Sequence, residues 1–313
     1  MPAPQASAFH FMADTLDAMA DALNFASSVN GNTQRPSSPA AWENTGGGRL
    51  EGEWSSNPLQ DANLSAGLLA NSANDHASGL AAVLRMPAGG IFSTYTVARG
   101  LLESAARAWY LMEPDIEVLE RVRRHMNERL HSLNESRLLL HGQGQAATHQ
   151  DNQEKKILDT GGEHFSFRVS KKYKAARLGE ERPSAMKLAD DCMAAAAGET
   201  GMGRLVYQLL SGKAHGVAYA LLQLLGAPST PQDPEIPGVA LRQVQHNAVD
   251  VAQMLLVPVV VYASMSQRYF QHQGWDPAGW QEASSNAYRG WAALAQAVPD
   301  AKGLVTVPQA QVT

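Results

Sequence analysis

Apolar residues recur every three or four positions along most of the chain, which is the period of an α-helix with one buried face. Short connections separate the central helical segments, and such connections favour antiparallel neighbours. We therefore expect an all-α fold, an antiparallel helical bundle of about six to eight helices with an irregular N-terminal segment. The pattern predicts helices over 8–28, 61–85, 91–112, about 114–140 or 158, 184–197, 201–226, 239–272 and 277–297.

Two stretches depart from the helical period. Residues 29–60 are rich in Gly, Pro, Ser and Asn, which predicts an irregular linker with no core of its own. In "HFSFRVS" the apolar residues alternate, which predicts a short strand or an extended loop. We expect three parts: an N-terminal helix and linker over 1–60, a single helical-bundle domain over 61–300 and a flexible tail over 301–313.

Composition limits the classes of protein that fit. The chain has 313 residues, 44% of them hydrophobic, which is enough for one large core. A net charge of −5 argues against a wholly electrostatic nucleic-acid binder, so any contact with nucleic acid must be local. The single cysteine, Cys192, excludes an internal disulfide framework and fits a reducing cytosol.

No membrane partner is expected from the sequence. The N-terminus lacks the basic and apolar regions of a signal peptide. The longest apolar run, residues 254–265, falls short of the ~18–20 residues that span a bilayer. We therefore expect a soluble, cytoplasmic protein.

The segment "LLSGKAHGVAYALL" places polar residues inside an apolar helix. Residues four apart share a helix face, so four side chains form one stripe: Tyr207, Ser211, His215 and Tyr219. Gly212 and Gly216 lie on an adjacent face, and we expect them to make room for a neighbouring backbone or a ligand that His215 faces. The alternative is tight packing around a hydrogen-bonded core histidine.

A second group of polar residues follows the same spacing in "ARGLLESAARAW". Arg99, Glu103 and Arg107 stand at steps of four. They form either a solvated charge ladder, with Glu103 in the favourable position before Arg107, or a partly buried centre in which Arg99 and Glu103 meet His215. In "NDHASG" we expect His76 to be buried and Asp75 to orient a histidine elsewhere. A surface aspartate beside a satisfied histidine is the alternative.

Metal and phosphate motifs are weak. Glu128 and His131 have the Glu-x-x-His spacing of di-iron bundles, but such sites need two pairs and the chain has one. We predict no metal and no cofactor, and a solvated amphipathic face over 121–137. A basic cluster around Tyr173 suits phosphate or nucleotide contacts, but is also typical of an exposed loop: Arg168, Lys171, Lys172, Lys174 and Arg177.

The order of "NDHASGLAAVLR", "ARGLLESAARAWYLMEPD", "RVRRHMNERLHSLNE", "RPSAMKL", "GRLVYQLLSGKAHG" and "GWDPAGW" resembles a group of uncharacterised actinobacterial helical proteins, over roughly 62–295. More distantly, the Arg-x-x-x-Glu helix followed by Tyr-x-x-x-Ser-x-x-x-His resembles bundles related to the HEPN (higher eukaryotes and prokaryotes nucleotide-binding) domains. That resemblance implies a homodimer and metal-independent RNA cleavage by an Arg and a His on one helix. His215 matches the family's histidine and Gly216 fits, but the arginine position is uncharged, so Lys213 or Arg99 would have to substitute.

Three functions compete at this stage. The first is an RNA- or nucleotide-binding protein, with or without RNA cleavage. In a cleaving protein His215 would act as general acid/base, Arg99 or Lys213 would stabilise the phosphorane, and Glu103 would orient Arg99. The second is a small-molecule enzyme or sensor with a pocket lined by Tyr207, Trp109, Tyr110, His215 and Tyr219. The third is a structural or interaction protein. The candidate ligand-binding residues are Asp75, His76, Tyr207, Ser211, Lys213 and Tyr219.

Overall fold

The computed structural model describes residues 3–31, 33–45, 50–86, 90–139, 144–169, 176–222 and 247–296. Over these ranges the chain is mostly helical, so the all-α prediction is confirmed. The described helices are α1 (Ala3–Val29), α2 (Pro39–Asn44), α3 (Pro58–Leu84), α4 (Ile91–Leu111), α5 (Val118–Leu139), α6 (Gly144–His164), α7 (Ala185–Ala197), α8 (Met202–Ala214), α9 (Ala218–Leu222), α10 (Ala248–Gln273) and α11 (Ala278–Gln296). The predicted tail over 301–313 lies outside the described residues.

The described helices are more numerous than the six to eight expected, because two predicted helices are interrupted and because α2 lies in the segment predicted as a linker. The stretch 114–158 divides into α5 and α6. The stretch 201–226 divides at His215 and Gly216, where α8 ends before α9 begins. The sequence left open an end near residue 140 for the first of these, whereas the apolar residues after Gly216 continue the helical pattern and hid the second break.

The main core includes side chains from α1, α3, α4, α7, α8, α10 and α11. Helix α10 packs against α4, α11 and α7, and α1 packs against α3 and α11. The N-terminal helix therefore shares the main core with the region after residue 60. By length and composition α10 could cross a membrane: its most apolar stretch has a mean hydropathy of 1.7, and 67% of that stretch is buried within the protein.

A second, smaller apolar cluster lies beside the first. Trp54 and Leu59 pack there with side chains from α5, α6 and a β-hairpin, namely Val122, Met126, Leu130, Ile157 and Leu178. Residues 29–60 therefore contribute a helix and a buried tryptophan, so the prediction of a linker without a core is wrong for this segment. The composition of this segment gave no sign of the packing, because a single buried tryptophan does not produce a hydrophobic period in the sequence.

The alternating segment after α6 forms a strand. Strand β1 (Phe167–Val169) pairs antiparallel with β2 (Ala176–Leu178), and Phe167 lies opposite Leu178. In the described part of the chain this hairpin is the whole of the strand structure. The Leu178 side chain is buried in the smaller cluster, which ties the hairpin to α5 and α6.

Three arginines bind the C-terminal end of α4. Arg268 donates from Nη1 to the Trp109 carbonyl at 2.7 Å, Arg124 to the Tyr110 carbonyl at 2.8 Å, and Arg121 to the Leu111 carbonyl at 2.5 Å. The last carbonyls of a helix have no partner within it, so cations placed there satisfy them. Arg121 and Arg123 are buried. The prediction of a solvated amphipathic face over 121–137 is therefore wrong for the arginines of its first half.

Candidate functional site

Helices α4 and α8 pack against each other and bring four polar side chains into one centre. Nη1 of Arg99 lies 2.5 Å from Nε2 of His215. Nε of the Arg99 guanidinium donates to Oε1 of Glu103 at 3.0 Å, and Nη2 lies 2.9 Å from the same oxygen in an ion pair. The Tyr207 hydroxyl donates to the same oxygen at 2.7 Å. Of the two arrangements foreseen for Arg99 and Glu103, the structure has the partly buried centre.

The end of α8 presents His215 to solvent. The His215 amide donates to the Ser211 carbonyl at 3.0 Å, and His215 is the last residue before the chain turns. Gly216 has φ of +68°, and the amides of Gly216 and Val217 donate to the carbonyls of Lys213 and Gly212. This is the Schellman pattern of a helix C-terminus, which favours glycine at the left-handed position.

Gly216 therefore does not make room for a neighbour, as the sequence suggested. A Cβ built on Gly216 would meet nothing within 4 Å. The glycine is required by its backbone angle, and its effect is to expose the imidazole that precedes it. Ser211 lies half-buried one turn earlier and contributes its carbonyl to the turn.

The electrostatics of the centre favour a fixed, charged arginine. Burial opposes the charge of Arg99, but its hydrogen bond to Tyr207 and the Glu103 carboxylate outweigh burial and raise the pKa of Arg99. Burial and the hydrogen bond to Glu103 raise the pKa of the Tyr207 hydroxyl, which stays protonated. A guanidinium can only donate. His215 Nε2 must therefore accept, which requires the neutral ring with its proton on Nδ1.

Lys213 does not join the centre. Its ammonium lies 4.1 Å from the centroid of the Tyr95 ring, and the residue is buried on the side of α8 that faces the core. Burial lowers the pKa of Lys213, and the Asp250 carboxylate opposes this shift. Of the two cations considered as substitutes for the missing arginine, Arg99 contacts His215 and Lys213 does not. The helical spacing explains this, since two positions separate Lys213 from His215, about 200° around the helix.

Asp75 and His76 lie apart from this contact network. Asp75 is exposed, and in the described part of the chain it makes no hydrogen bond or ion pair, so its expected role in orienting a histidine is not observed. His76 is half-buried rather than buried. Its ring lies against Gly100 of α4, where a Cβ would come within 2.8 Å of Nε2. Gly100 thus allows the close packing of α3 on α4.

The aromatic residues of the expected small-molecule pocket are dispersed. The Arg268 guanidinium stacks 3.6 Å from the Trp109 ring, and Arg124 lies 4.1 Å from the Tyr110 ring, both at the end of α4. Tyr219 belongs to α9, and its side chain lies outside the described residues. A cleft of about 730 Å³ does exist elsewhere, between α7, α10 and α11, and Val260, Trp280 and Tyr288 are among its lining residues.

The remaining candidates have structural partners. Glu128 accepts from Nε of Arg182 at 2.6 Å. No group of three or more metal-ligating side chains occurs among the residues described. Arg177 pairs with Glu181 at 2.7 Å, while the side chains of Arg168, Lys171, Lys172, Tyr173 and Lys174 lie outside the description. Burial raises the pKa of the Cys192 thiol to about 12, which disfavours a nucleophilic role.

Sequence reasoning missed Arg182, which follows the hairpin in a stretch without regular structure and reaches α5 through space. No periodic signal could have indicated that contact. Comparison with known proteins adds no further guide. No family model, no curated protein and no solved structure matches the chain.

Proposed function

We propose that this protein is a metal-independent ribonuclease whose centre is His215 with Arg99. The observation that carries the proposal is the 2.5 Å contact between Arg99 and His215 at an exposed helix end. An imidazole beside a guanidinium can act on the same phosphodiester without a metal: the imidazole accepts a proton, and the guanidinium binds the negative charge of the phosphate. The resemblance of the motif order to HEPN domains supports the same assignment, with Arg99 of the neighbouring helix in place of the arginine that the family carries on the histidine's own helix.

The roles follow from the chemistry of the groups. His215 removes the proton from a ribose 2′-hydroxyl, whose oxygen attacks the adjacent phosphorus while the bond to the 5′-oxygen breaks. The imidazolium formed at His215 then gives this proton to the leaving 5′-oxygen, so that a 2′,3′-cyclic phosphate and a 5′-hydroxyl remain. Arg99 stabilises the charge that develops on the phosphorane oxygens. The incoming phosphate replaces His215 as the partner of Nη1, which frees Nε2 to act as the base.

Glu103 and Tyr207 are positioning residues in this proposal. Glu103 accepts one hydrogen bond from Nε of Arg99 and one from Tyr207, and its carboxylate forms an ion pair with the Arg99 guanidinium. These contacts hold the guanidinium in one orientation before substrate arrives, which lowers the cost of ordering it in the transition state. Tyr207 stands eight residues before His215, about two turns of helix, and it contacts Arg99 and Glu103.

We also propose an antiparallel bundle around α4 and α8. Contacts along the two helices run in opposite order: Glu103 with Tyr207, Arg99 with His215, and Tyr95 with Lys213. Opposite order supports an antiparallel pair. In that arrangement the exposed end of α8 lies beside the first half of α4, where Arg99 stands.

The test is cleavage of a labelled single-stranded RNA with and without EDTA. We expect cleavage to persist in EDTA and to yield a 2′,3′-cyclic phosphate, while DNA of the same sequence stays intact because it lacks the nucleophile. His215→Ala and Arg99→Gln should each lower the rate by about 10²-fold or more. Arg204→Gln is the matched control, since Arg204 is an exposed cation on the same helix.

Two results would contradict the proposal. Cleavage that EDTA abolishes would show that the reaction depends on a metal. Equal rates for the wild type and His215→Ala would show that the nuclease activity resides elsewhere or in a contaminant. Circular dichroism of each variant separates loss of activity from loss of fold.

A further inference from the structure

An aromatic ring lies in solvent on the helix that carries Arg99. Phe92, in the first turn of α4, is 50% exposed. Single exposed apolar side chains are common on protein surfaces and carry no meaning by themselves. The position of this one matters, because the other exposed aromatic side chains in the described part of the chain, Phe25, Trp42 and Tyr288, belong to α1, α2 and α11. Phe92 alone of these stands on a helix of the proposed centre.

Helical geometry places Phe92 on the same face as the proposed centre. Seven residues separate Phe92 from Arg99, which corresponds to a rotation of about 20° and a rise of about 10 Å. Glu103 follows four residues after Arg99 on the same face. Between Phe92 and Arg99 this face carries Thr96, an exposed short side chain whose hydroxyl donates to the Phe92 carbonyl at 3.2 Å. No bulky side chain of α4 therefore separates the ring from the guanidinium.

Helix α8 leaves the Phe92 ring uncovered. The Lys213 ammonium contacts the ring of Tyr95, about one turn after Phe92, and α8 ends just beyond Lys213 with His215 as its last residue before the turn. Among the described elements, α9 is not one that packs on α4. Phe92 and His215 are exposed and Arg99 is partly exposed, so one extended ligand can contact all three side chains.

We propose that the Phe92 ring is a stacking platform for an unpaired base of the RNA strand whose phosphate Arg99 binds. The inference rests on the proposed function for its ligand, and it adds that the substrate is single-stranded. Proteins that bind single strands without sequence preference stack the bases on aromatic side chains. The rise per nucleotide is about 3.4 Å in a stacked strand and larger in an extended one. The base on Phe92 therefore belongs to a nucleotide within about three steps of the phosphate at Arg99.

The experiment measures binding of two fluorescein-labelled octamers that have no free 2′-hydroxyl and cannot be cleaved. One is 2′-O-methyl uridine, and the other is a phosphodiester chain of tetrahydrofuran units, which has the same charge and no bases. Fluorescence anisotropy over a range of NaCl concentrations yields the Kd and its salt dependence. We expect the wild-type protein to bind the uridine octamer about tenfold more tightly than the abasic octamer, because one base stacks on an aromatic ring.

Phe92→Ala should remove this difference. We expect the variant to bind the uridine octamer about tenfold more weakly than the wild type does, and the abasic octamer equally well. The salt slope should stay unchanged, because the ring carries no charge. Arg99→Gln should instead weaken the binding of both octamers and reduce the slope of log K against log salt by about 0.7, the value for one phosphate contact on a single strand.

Matched variants separate stacking from general effects on the surface. Phe92→Trp keeps an aromatic face and should retain the affinity for the uridine octamer. Phe92→Leu keeps an apolar side chain without an aromatic face and should behave as Phe92→Ala does, which keeps the proposal testable if one variant does not fold. Phe25→Ala is the control, since Phe25 is an exposed phenylalanine of α1, a helix that is not among the described elements packed on α4.

The outcomes separate this platform from the ribonuclease. If Phe92→Ala binds the uridine octamer as the wild type does, or binds both octamers equally more weakly, the platform is overturned, whether or not RNA is cleaved. A loss confined to the uridine octamer, in a protein that cleaves no RNA, would retain the platform and refute the ribonuclease. If the wild type binds neither octamer, or binds both with equal affinity, the platform is overturned, and the cleavage assay alone then decides the ribonuclease.

Discussion

At the scale of single residues, three glycines are needed for two different physical reasons, which are close packing and a left-handed backbone angle. Gly203 lies against the backbone of Ala189, where a Cβ would come within 2.5 Å of the carbonyl carbon, so it permits close contact of α7 and α8. Gly100 permits the His76 ring to lie against α4. Gly216 is needed for its backbone angle alone. The sequence shows three glycines in helical patterns and does not distinguish these reasons.

Gly216→Ala tests the conformational explanation. The left-handed region costs an L-residue roughly 1–2 kcal/mol, and part of that is offset because alanine restricts the unfolded chain. We expect the free energy of unfolding in urea to fall by about 1 kcal/mol, and Gly216→Asn to cost less because asparagine tolerates this region. Gly162→Ala is the control, since Gly162 is helical with nothing near its Cβ position. Equal effects at the two glycines would contradict the explanation.

At the scale of elements, α4 connects most of the molecule. It contacts α3, α5, α7, α8 and α10. Its first half carries the proposed centre, and its last turn is bound by arginines from α5 and α10. Arg121 also forms a buried ion pair with Glu43 of α2 at 2.8 Å, and Nε2 of His272 lies 3.2 Å from the other Glu43 oxygen. One arginine thus joins the end of α4 to α2.

Removing that arginine should be costly. Arg121→Met leaves the Glu43 carboxylate buried without its main partner, and the loss of one member of a buried ion pair typically costs about 3–5 kcal/mol. We expect a decrease of that size in the free energy of unfolding in urea. The double variant Arg121→Met with Glu43→Met should recover part of it. Arg85→Met is the control: Arg85 pairs with Asp14 and Asp17 on the surface, where such pairs contribute at most about 1 kcal/mol.

The helices could be predicted better than the points where they end. The segments that became α1, α3, α4, α7 and α11 follow from the apolar period, because one continuous face of each is buried. The end of α8 could not be predicted, since Gly216 stands within an apolar run and its φ depends on how the chain turns. The Arg99–His215 contact was one of two arrangements that the spacing allowed. The apolar period identifies the buried face of each helix, but it does not identify the helix that packs against that face.

At the scale of the whole molecule, α5 contributes to the smaller apolar cluster and also buries a histidine. His125 of α5 is buried, and both of its ring nitrogens lack a hydrogen-bond partner among the residues that the structure describes. Burial, reinforced by the positive charge of Arg129 and opposed by Asp61 of α3, lowers the pKa of His125 to about 4. Asp61 also accepts from Ser55 at 2.5 Å. The segment around Trp54, α3 and α5 therefore surrounds a histidine that must stay neutral.

This histidine should make the stability of the protein depend on pH. The unfolded chain binds the proton near the ordinary pKa of about 6.5, while the folded protein binds it only near 4. Between these values the unfolded state carries more protons, so stability falls as the pH is lowered. The full difference amounts to about 3 kcal/mol, at 1.36 kcal/mol for each pKa unit. Urea unfolding at pH 7, 5.5 and 4 measures it, and His125→Leu isolates the contribution, because carboxylates and His131 titrate in both proteins. We expect the variant to lose less stability than the wild type over this range. Parallel losses in the two proteins would mean that His125 is protonated in the folded state, or that the α3–α5 interface opens to water before the rest of the molecule unfolds.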